Sequence, residues 1–351
     1  MQRVSIHDLH REIILNSMSP GFDAPPPKVL HKDLIPEGVH NAMLPAWTRG
    51  TFQPHPLHIV RLFDVYLTGE GLLFDREKNL ISESVTQYEP AAIAEAHRRV
   101  VEAGEPRTEW GSCILLRKRG DSNYGHWMIE LLPKLWAAED LFDIDDCVIP
   151  KRSGAMEAVM KTALRLSSNG PHGLIEHSDS EVIFFKQLLF VEGLTSHGLY
   201  MSPLVFAKTD KLVKSTVETK KIFVSRRGAA RDLANEDDVI ASLMAASFEV
   251  VHPGAMSLEE QATTFSSASH VVGVMGAGLT NIMFCAPGAK VINLAPATFP
   301  DTFFYLIAQN RKLDYTEIRG TNLSEGPGWD QPFLISPLDI VGCLEASKSI
   351  V

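Results

Sequence analysis

The chain has 351 residues, 45% of them hydrophobic and 22% charged, the make-up of a globular protein with a substantial core. At roughly 100–200 residues per domain, this length predicts two domains. A net charge of -10 excludes a molecule-wide basic field for nucleic acid but not a local cationic pocket.

Residues 1–55, rich in Pro and His (Pro25-Pro26-Pro27, Pro54-His55-Pro56), predict an irregular arm laid over the body. Their first 20 residues lack the sustained apolar core of a secretory signal. Short apolar segments at 59–67, 72–74 and 113–116 follow, with helical character over 90–103. The apolar stretch 127–141 predicts a helix, 147–150 a short buried strand, and 182–191 one or two more strands. Strands are expected at 221–225, 248–252, 270–274, 290–294 and 313–318. Helices are expected at 235–246, 257–267, 279–285 and 302–310. In the helix at 257–267, Ser257 and Glu260 have the spacing of a capping box. This alternation with short connections predicts a parallel sheet covered on both faces. A last helix, starting at Ser336-Pro337 and running to about 346, has two expected homes: its own domain or the first half.

Three segments carry candidate chemistry. Arg226, Arg227 and Arg231 follow a strand end and lead to Asn235-Glu236; ligands of open parallel sheets sit beyond such ends, and guanidinium forks match phosphate oxygens. The alternative is a solvated turn. Gly276-Ala277-Gly278-Leu279-Thr280-Asn281 joins a strand to a helix, where glycines admit a ligand to the backbone and helix amides attract an anion; the alternative is a tight turn. His126 and Glu130 share one helix face, as a proton acceptor and its orienting carboxylate or as a satisfied core pair. Pro133 should kink or end that helix.

Asp143-Ile144-Asp145 spells the DxD of metal-dependent sugar transferases, but its Phe/Asp turn reads as a solvated loop. No GxxxxGK[ST], HExxH or GxSxG is present, which removes the common NTPase, zincin and serine-hydrolase readings. The cysteines, Cys113, Cys147, Cys285 and Cys343, form no CxxC pair and are expected as buried free thiols. No run approaches the ~18 apolar residues of a membrane span. A cytoplasmic protein is expected, in peripheral contact with a membrane at most.

In this order, the segments resemble glycosyltransferase family 61. Its Asn-x-x-His with an acid four residues on is matched by Asn123, His126 and Glu130. Its Arg-rich strand end is matched by Arg226, Arg231, Asn235 and Glu236, its acidic-Gln helix by Glu260 and Gln261, and its Gly-Ala-Gly-Leu-Thr-Asn turn by Gly276 to Asn281. One departure is Met275, where the family commonly has His. The resemblance covers about 112–296.

It implies an α/β chain of GT-B type: two Rossmann-like domains facing across a cleft, with a C-terminal helix that in this fold usually returns to the first domain. The expected division is 1–205 (acceptor side, with the arm), 206–330 (nucleotide-sugar side) and 331–351 (the tail helix). The implied activity is an inverting, metal-independent transfer from a nucleotide-diphosphate sugar, UDP foremost, to a glycan or glycolipid acceptor in surface polysaccharide synthesis, with no cofactor. Arg226, Arg227, Arg231, Asn235, Glu260 and Gly276 to Asn281 would hold the donor. Glu130 would be the base and His126 its orienter, with the reverse kept open. Rival readings are a non-catalytic nucleotide-sugar or glycan-binding relative, a retaining enzyme, and an NAD(P)-dependent oxidoreductase; for the last, Asn293-Leu294-Ala295 supplies no acidic residue at the next strand end.

Overall fold

The computed structural model describes residues 1–213, 219–324 and 330–345. The chain is mixed α/β and divides into two compact units. The first comprises Met1–Pro20, Pro54–Thr195 and Leu204–Lys208. The second comprises Gly21–Gln53, Ser196–Pro203 and the described residues from Thr209 onward.

The first unit is built on a ten-stranded sheet. Ile183–Glu192, Cys113–Leu115, Asp146–Pro150 and Gly173–His177 lie side by side and run parallel. Beyond Ile183–Glu192 the sheet turns antiparallel, through His55–Thr68 and Leu72–Phe74. This departs from the parallel, Rossmann-like half expected. For the second of these pairings the cause is local: Gly69 and Gly71, with φ of 64° and 111°, close a tight turn, and a strand that turns back without a crossover must pair antiparallel. Asp64, at φ 54°, resets the side-chain alternation, so Val60 and Leu62 before it and Val65 and Leu67 after it enter one core. The helix Pro90–Glu102 buries Ile93, Ala96 and Val100. The helix Ala155–Ser167 and strand Gly173–His177 were not among the expected elements.

The second unit holds the parallel sheet read from the sequence. Its order is Glu249–Val251, Lys220–Val224, Ala268–Val274, Lys290–Pro296 and Asp314–Asn322. The first strand of this series in the chain thus lies between the second and the third, and the direction of winding reverses there. Helices Glu236–Ala245 and Pro337–Glu345 cover one face, burying Val239, Leu243, Ile340 and Cys343 against Phe223, Val272 and Ile292. The tail helix therefore takes the first of its two expected homes, and buried Lys290 donates from Nζ to the carbonyl of Cys343 (2.9 Å) near its end. The far end expected for this helix, near 346, lies outside the described residues.

The N-terminal segment is not an irregular arm. Arg11–Ser19 pairs antiparallel with His55–Thr68, and Lys28–Leu30 joins Asp314–Asn322 as a parallel strand. Glu37–Trp47 is a helix that buries Met43 and Trp47. It covers a buried ionic cluster on the sheet. Arg319 Nε donates to Glu317 (2.6 Å), as does Tyr315 Oη (2.6 Å); Arg319 Nη1 donates to the carbonyls of Pro296 (3.0 Å) and Phe299 (2.8 Å); and its guanidinium carbon lies 5.8 Å from the Trp47 ring centre. Both charged groups are fully enclosed, which is tolerable only because each is paired and hydrogen-bonded. All four cysteines are free and buried, as expected. Among the described residues, no helix is long and apolar enough to cross a membrane.

Candidate active site

In the second unit the strands Lys220–Val224 and Ala268–Val274 are neighbours whose connections leave in opposite directions, and a crevice opens beyond their carboxyl ends. A cavity of about 390 Å³ lies there. One wall is Ser225, Arg226, Arg227 and Ala229; the glycine turn contributes Gly276, Gly278 and Leu279; the facing wall is His252 to Ala255.

Arg226 donates from Nε to the carbonyl of Ala230 (2.7 Å), which lays its guanidinium along Gly276. A β-carbon on Gly276 would come within 2.6 Å of Arg226 Cζ, so this approach requires glycine. Arg231 has φ 61°, a left-handed conformation unusual for arginine; its guanidinium carbon stands 4.3 Å from the Phe299 ring centre, and Nη1 is 3.5 Å from Asp330. Burial pushes the pKa values of both arginines down, and the charge of Arg231 pushes Arg226 further the same way. Two guanidinium groups that are half-buried and mutually repelling form a site that an anion would stabilise. The 3-10 helix Ala277–Phe284 starts beside Arg226, and the first N–H groups of a helix lack intrahelical partners.

Other expected donor residues have structural employment. Arg227 turns outward to Glu236 (2.9 Å) and Asp237. Asn235 clamps the backbone of Ile335, donating to its carbonyl at 2.8 Å and accepting from its N–H at 3.3 Å. Glu260 completes the capping box with Ser257, accepting from its N–H and hydroxyl, both at 2.8 Å. Thr280 and Asn281 are fully buried, and Asn281 donates to Gln261 (2.7 Å) and to the carbonyl of Gly278 (3.0 Å) behind the turn. Ala277 and Arg231 are not among the residues that line the cavity, nor is Met275, which is fully buried. His252, at the end of Glu249–Val251, lines the cavity and was missed; the strand-end rule that singled out Arg226 would have found it.

In the first unit, Asn123 caps a short helix by accepting from the Gly125 N–H (2.8 Å). The helix widens into a π-helical turn, Trp127–Leu131, in which the Leu132 N–H bonds to the carbonyl of Trp127. Such turns are frequent at functional sites. Pro133 follows in the first turn of Leu132–Ala138, so the geometry changes where the proline predicted it. His126 Nδ1 and Glu130 Oε2 are 2.7 Å apart. Lys118 Nζ donates to the same oxygen. Glu130 is 2% exposed and His126 20%. Gly120, at φ 78°, packs on the imidazole edge, where a β-carbon would stand 3.1 Å from Cδ2. Asp145 accepts from the Ser112 N–H (2.7 Å) in its exposed loop, so the DxD residue serves as a loop anchor.

Residues 124–292 match the Glycosyltransferase 61 family model. The matched span opens at the His126–Glu130 helix and includes both the arginine loop and the glycine turn. A search of curated proteins finds no match.

Proposed function

We propose, from the premise that residues 124–292 place this part of the chain in glycosyltransferase family 61, that the protein is an inverting, metal-independent transferase using a UDP-linked sugar. The acceptor is a hydroxyl of a glycan or glycolipid, in surface polysaccharide assembly on the cytoplasmic side of a membrane. The two units act as the two halves of the GT-B arrangement that the resemblance implies. The single observation that carries the donor reading is the half-buried Arg226 guanidinium, lying along Gly276 at the switch point of the second unit's sheet with the charge of Arg231 acting on it.

The diphosphate lies against Arg226 and the amides that open the 3-10 helix, within the field of Arg231. As the bond from the anomeric carbon to the phosphate oxygen breaks, the growing negative charge is met by these cations and dipoles. On the first unit, His126 Nε2 takes the proton of the acceptor hydroxyl while its oxygen bonds to the anomeric carbon from the opposite side. This is the reverse of the assignment that the resemblance favours, with Glu130 as the base. Glu130 is almost wholly enclosed and contacts His126 at Nδ1, which suits a carboxylate that orients the ring and stabilises the imidazolium formed.

The test is calorimetric titration with UDP, UDP-sugars and NAD(P), with and without EDTA. UDP binding that survives EDTA and falls at least about tenfold in Arg226→Ala is the expected result. Binding of NAD(P) and not of UDP would overturn the assignment. The anomeric configuration of the product, read by NMR, separates inversion from retention. His126→Ala and Glu130→Gln should each lower turnover by about a hundredfold or more while UDP affinity holds; wild-type turnover in either would remove the dyad from the mechanism.

A further inference from the structure

A carboxylate as enclosed as Glu130 is costly unless its charge is paired. Its own helix offers His126. The ammonium that reaches it comes from another element, the loop after Cys113–Leu115, where Lys118 is 11% exposed and meets the oxygen that His126 also contacts. A second lysine, Lys134, stands nearby on the helix. Burial, then the charge of Lys118, push its pKa down to about 8, against the opposing pull of Glu130 and Glu192. Lys134 Nζ lies 5.6 Å from the Phe190 ring centre, whereas Lys118 touches the carboxylate.

The loop carrying Lys118 is tied down on both sides. Arg117, fully buried, donates to Asp121 (2.8 Å), to the carbonyl of His177 (3.0 Å) and to Asp179 (2.6 Å). Asp121 also accepts from Arg152 (2.9 Å), and the Gly120 N–H donates to Glu70 (3.1 Å). The path of the backbone at 118 is thus set by its neighbours, and the Lys118 side chain is a separable part. It also lies outside the span matched by the family model.

We infer that Lys118 is a positioning residue whose ammonium holds Glu130 as a carboxylate, so that Glu130 accepts the Nδ1–H of His126 and the ring keeps Nε2 as its proton acceptor. The inference rests on His126 being the base. With Lys118 in place, the buried negative charge has a cation of its own on the oxygen that His126 also contacts. With it removed, the carboxylate takes up a proton or draws His126 into the imidazolium form, and in neither state is a neutral ring held with Nε2 as acceptor.

The experiment uses the full chain as Lys118→Met, Lys118→Gln and Lys118→Arg, with His126 among the 13 histidines assigned in ¹⁵N imidazole spectra by its loss in His126→Ala. Lys118→Gln keeps a hydrogen-bond donor without the charge and serves if the methionine variant does not fold. The wild type and Lys118→Arg should show the Nδ1–H tautomer. Lys118→Gln should show imidazolium or a mixture of tautomers, with turnover down about a hundredfold and UDP affinity within about twofold. Unchanged His126 signals in folded Lys118→Gln would overturn the role of Lys118. An Nε2–H tautomer in the wild type would instead overturn His126 as the base, so the two failures are told apart.

Discussion

At Gly276 the cavity proposed for the donor depends on the absence of one carbon. Because a β-carbon there would displace the Arg226 guanidinium, Gly276→Ala should weaken UDP binding by about as much as Arg226→Ala, tenfold or more. The double variant should lose little beyond either single one, since both remove the same contact. Full additivity in calorimetry would refute the coupling. His177 gives a residue-scale prediction in the other unit. Its Nδ1 accepts from Arg117 and its Nε2 donates to the carbonyl of Glu181 (3.1 Å), the pattern of a neutral ring. Burial, then the charge of Arg117, lower its pKa from 6.5 to about 4. The folded state therefore binds the proton less readily than the unfolded chain. The stability it contributes is complete above the unfolded pKa of 6.5 and is lost as pH falls from there toward 4. Melting curves of His177→Gln should be flatter than wild type across that window; an identical slope would show that other groups govern it.

Helix ends explain which motif residues serve the fold and which are left to face the cavity. Glu260 belongs to a capping box, so Ser257→Ala should cost about 1 kcal/mol in denaturant unfolding and leave UDP affinity unchanged. A matching loss of affinity would return this helix start to the donor site. Motif membership alone could not separate Glu260 and Asn235 from Arg226, because a short polar side chain serves a cap or a clamp as well as it serves a ligand. The parallel strands of the second unit were legible because apolar runs alternate with helical periods. The helix Ala155–Ser167 is open to the same reading, with Val159, Met160, Ala163 and Leu164 on one face. Strands such as Lys28–Leu30 were not legible: three residues beside prolines carry no periodicity, and their pairing is decided by a partner strand far along the chain. The π-helical turn was half-legible, since Pro133 marks the place but not the widened geometry.

At the scale of the whole molecule, neither compact unit is one continuous stretch of chain. Residues 21–53 lie between two parts of the first unit in sequence and belong with the second. The helix Glu37–Trp47 lays Met43 and Trp47 over the enclosed Glu317–Arg319 pair, and Tyr305 Oη donates to the carbonyl of Ala24 (2.9 Å). Trp47→Ala should therefore destabilise the second unit by about 3–5 kcal/mol. A chain lacking residues 1–53 should show no cooperative melt of that unit, because a buried ion pair would lose its cover. An unchanged transition in either would mean that the sheet closes without this segment.

This threading also sets an order of events at the ribosome. Leu30 is made long before its strand partner Ile318. At about 5–20 residues per second, the nascent segment waits on the order of tens of seconds for the edge it will complete. During that interval it is an unclosed loop hanging from a half-made protein, with Met43 and Trp47 uncovered and available to chaperones. Closing so long a loop adds little to the equilibrium cost, which grows only with the logarithm of length, but it makes the last strand of the second sheet a late and slow step of folding.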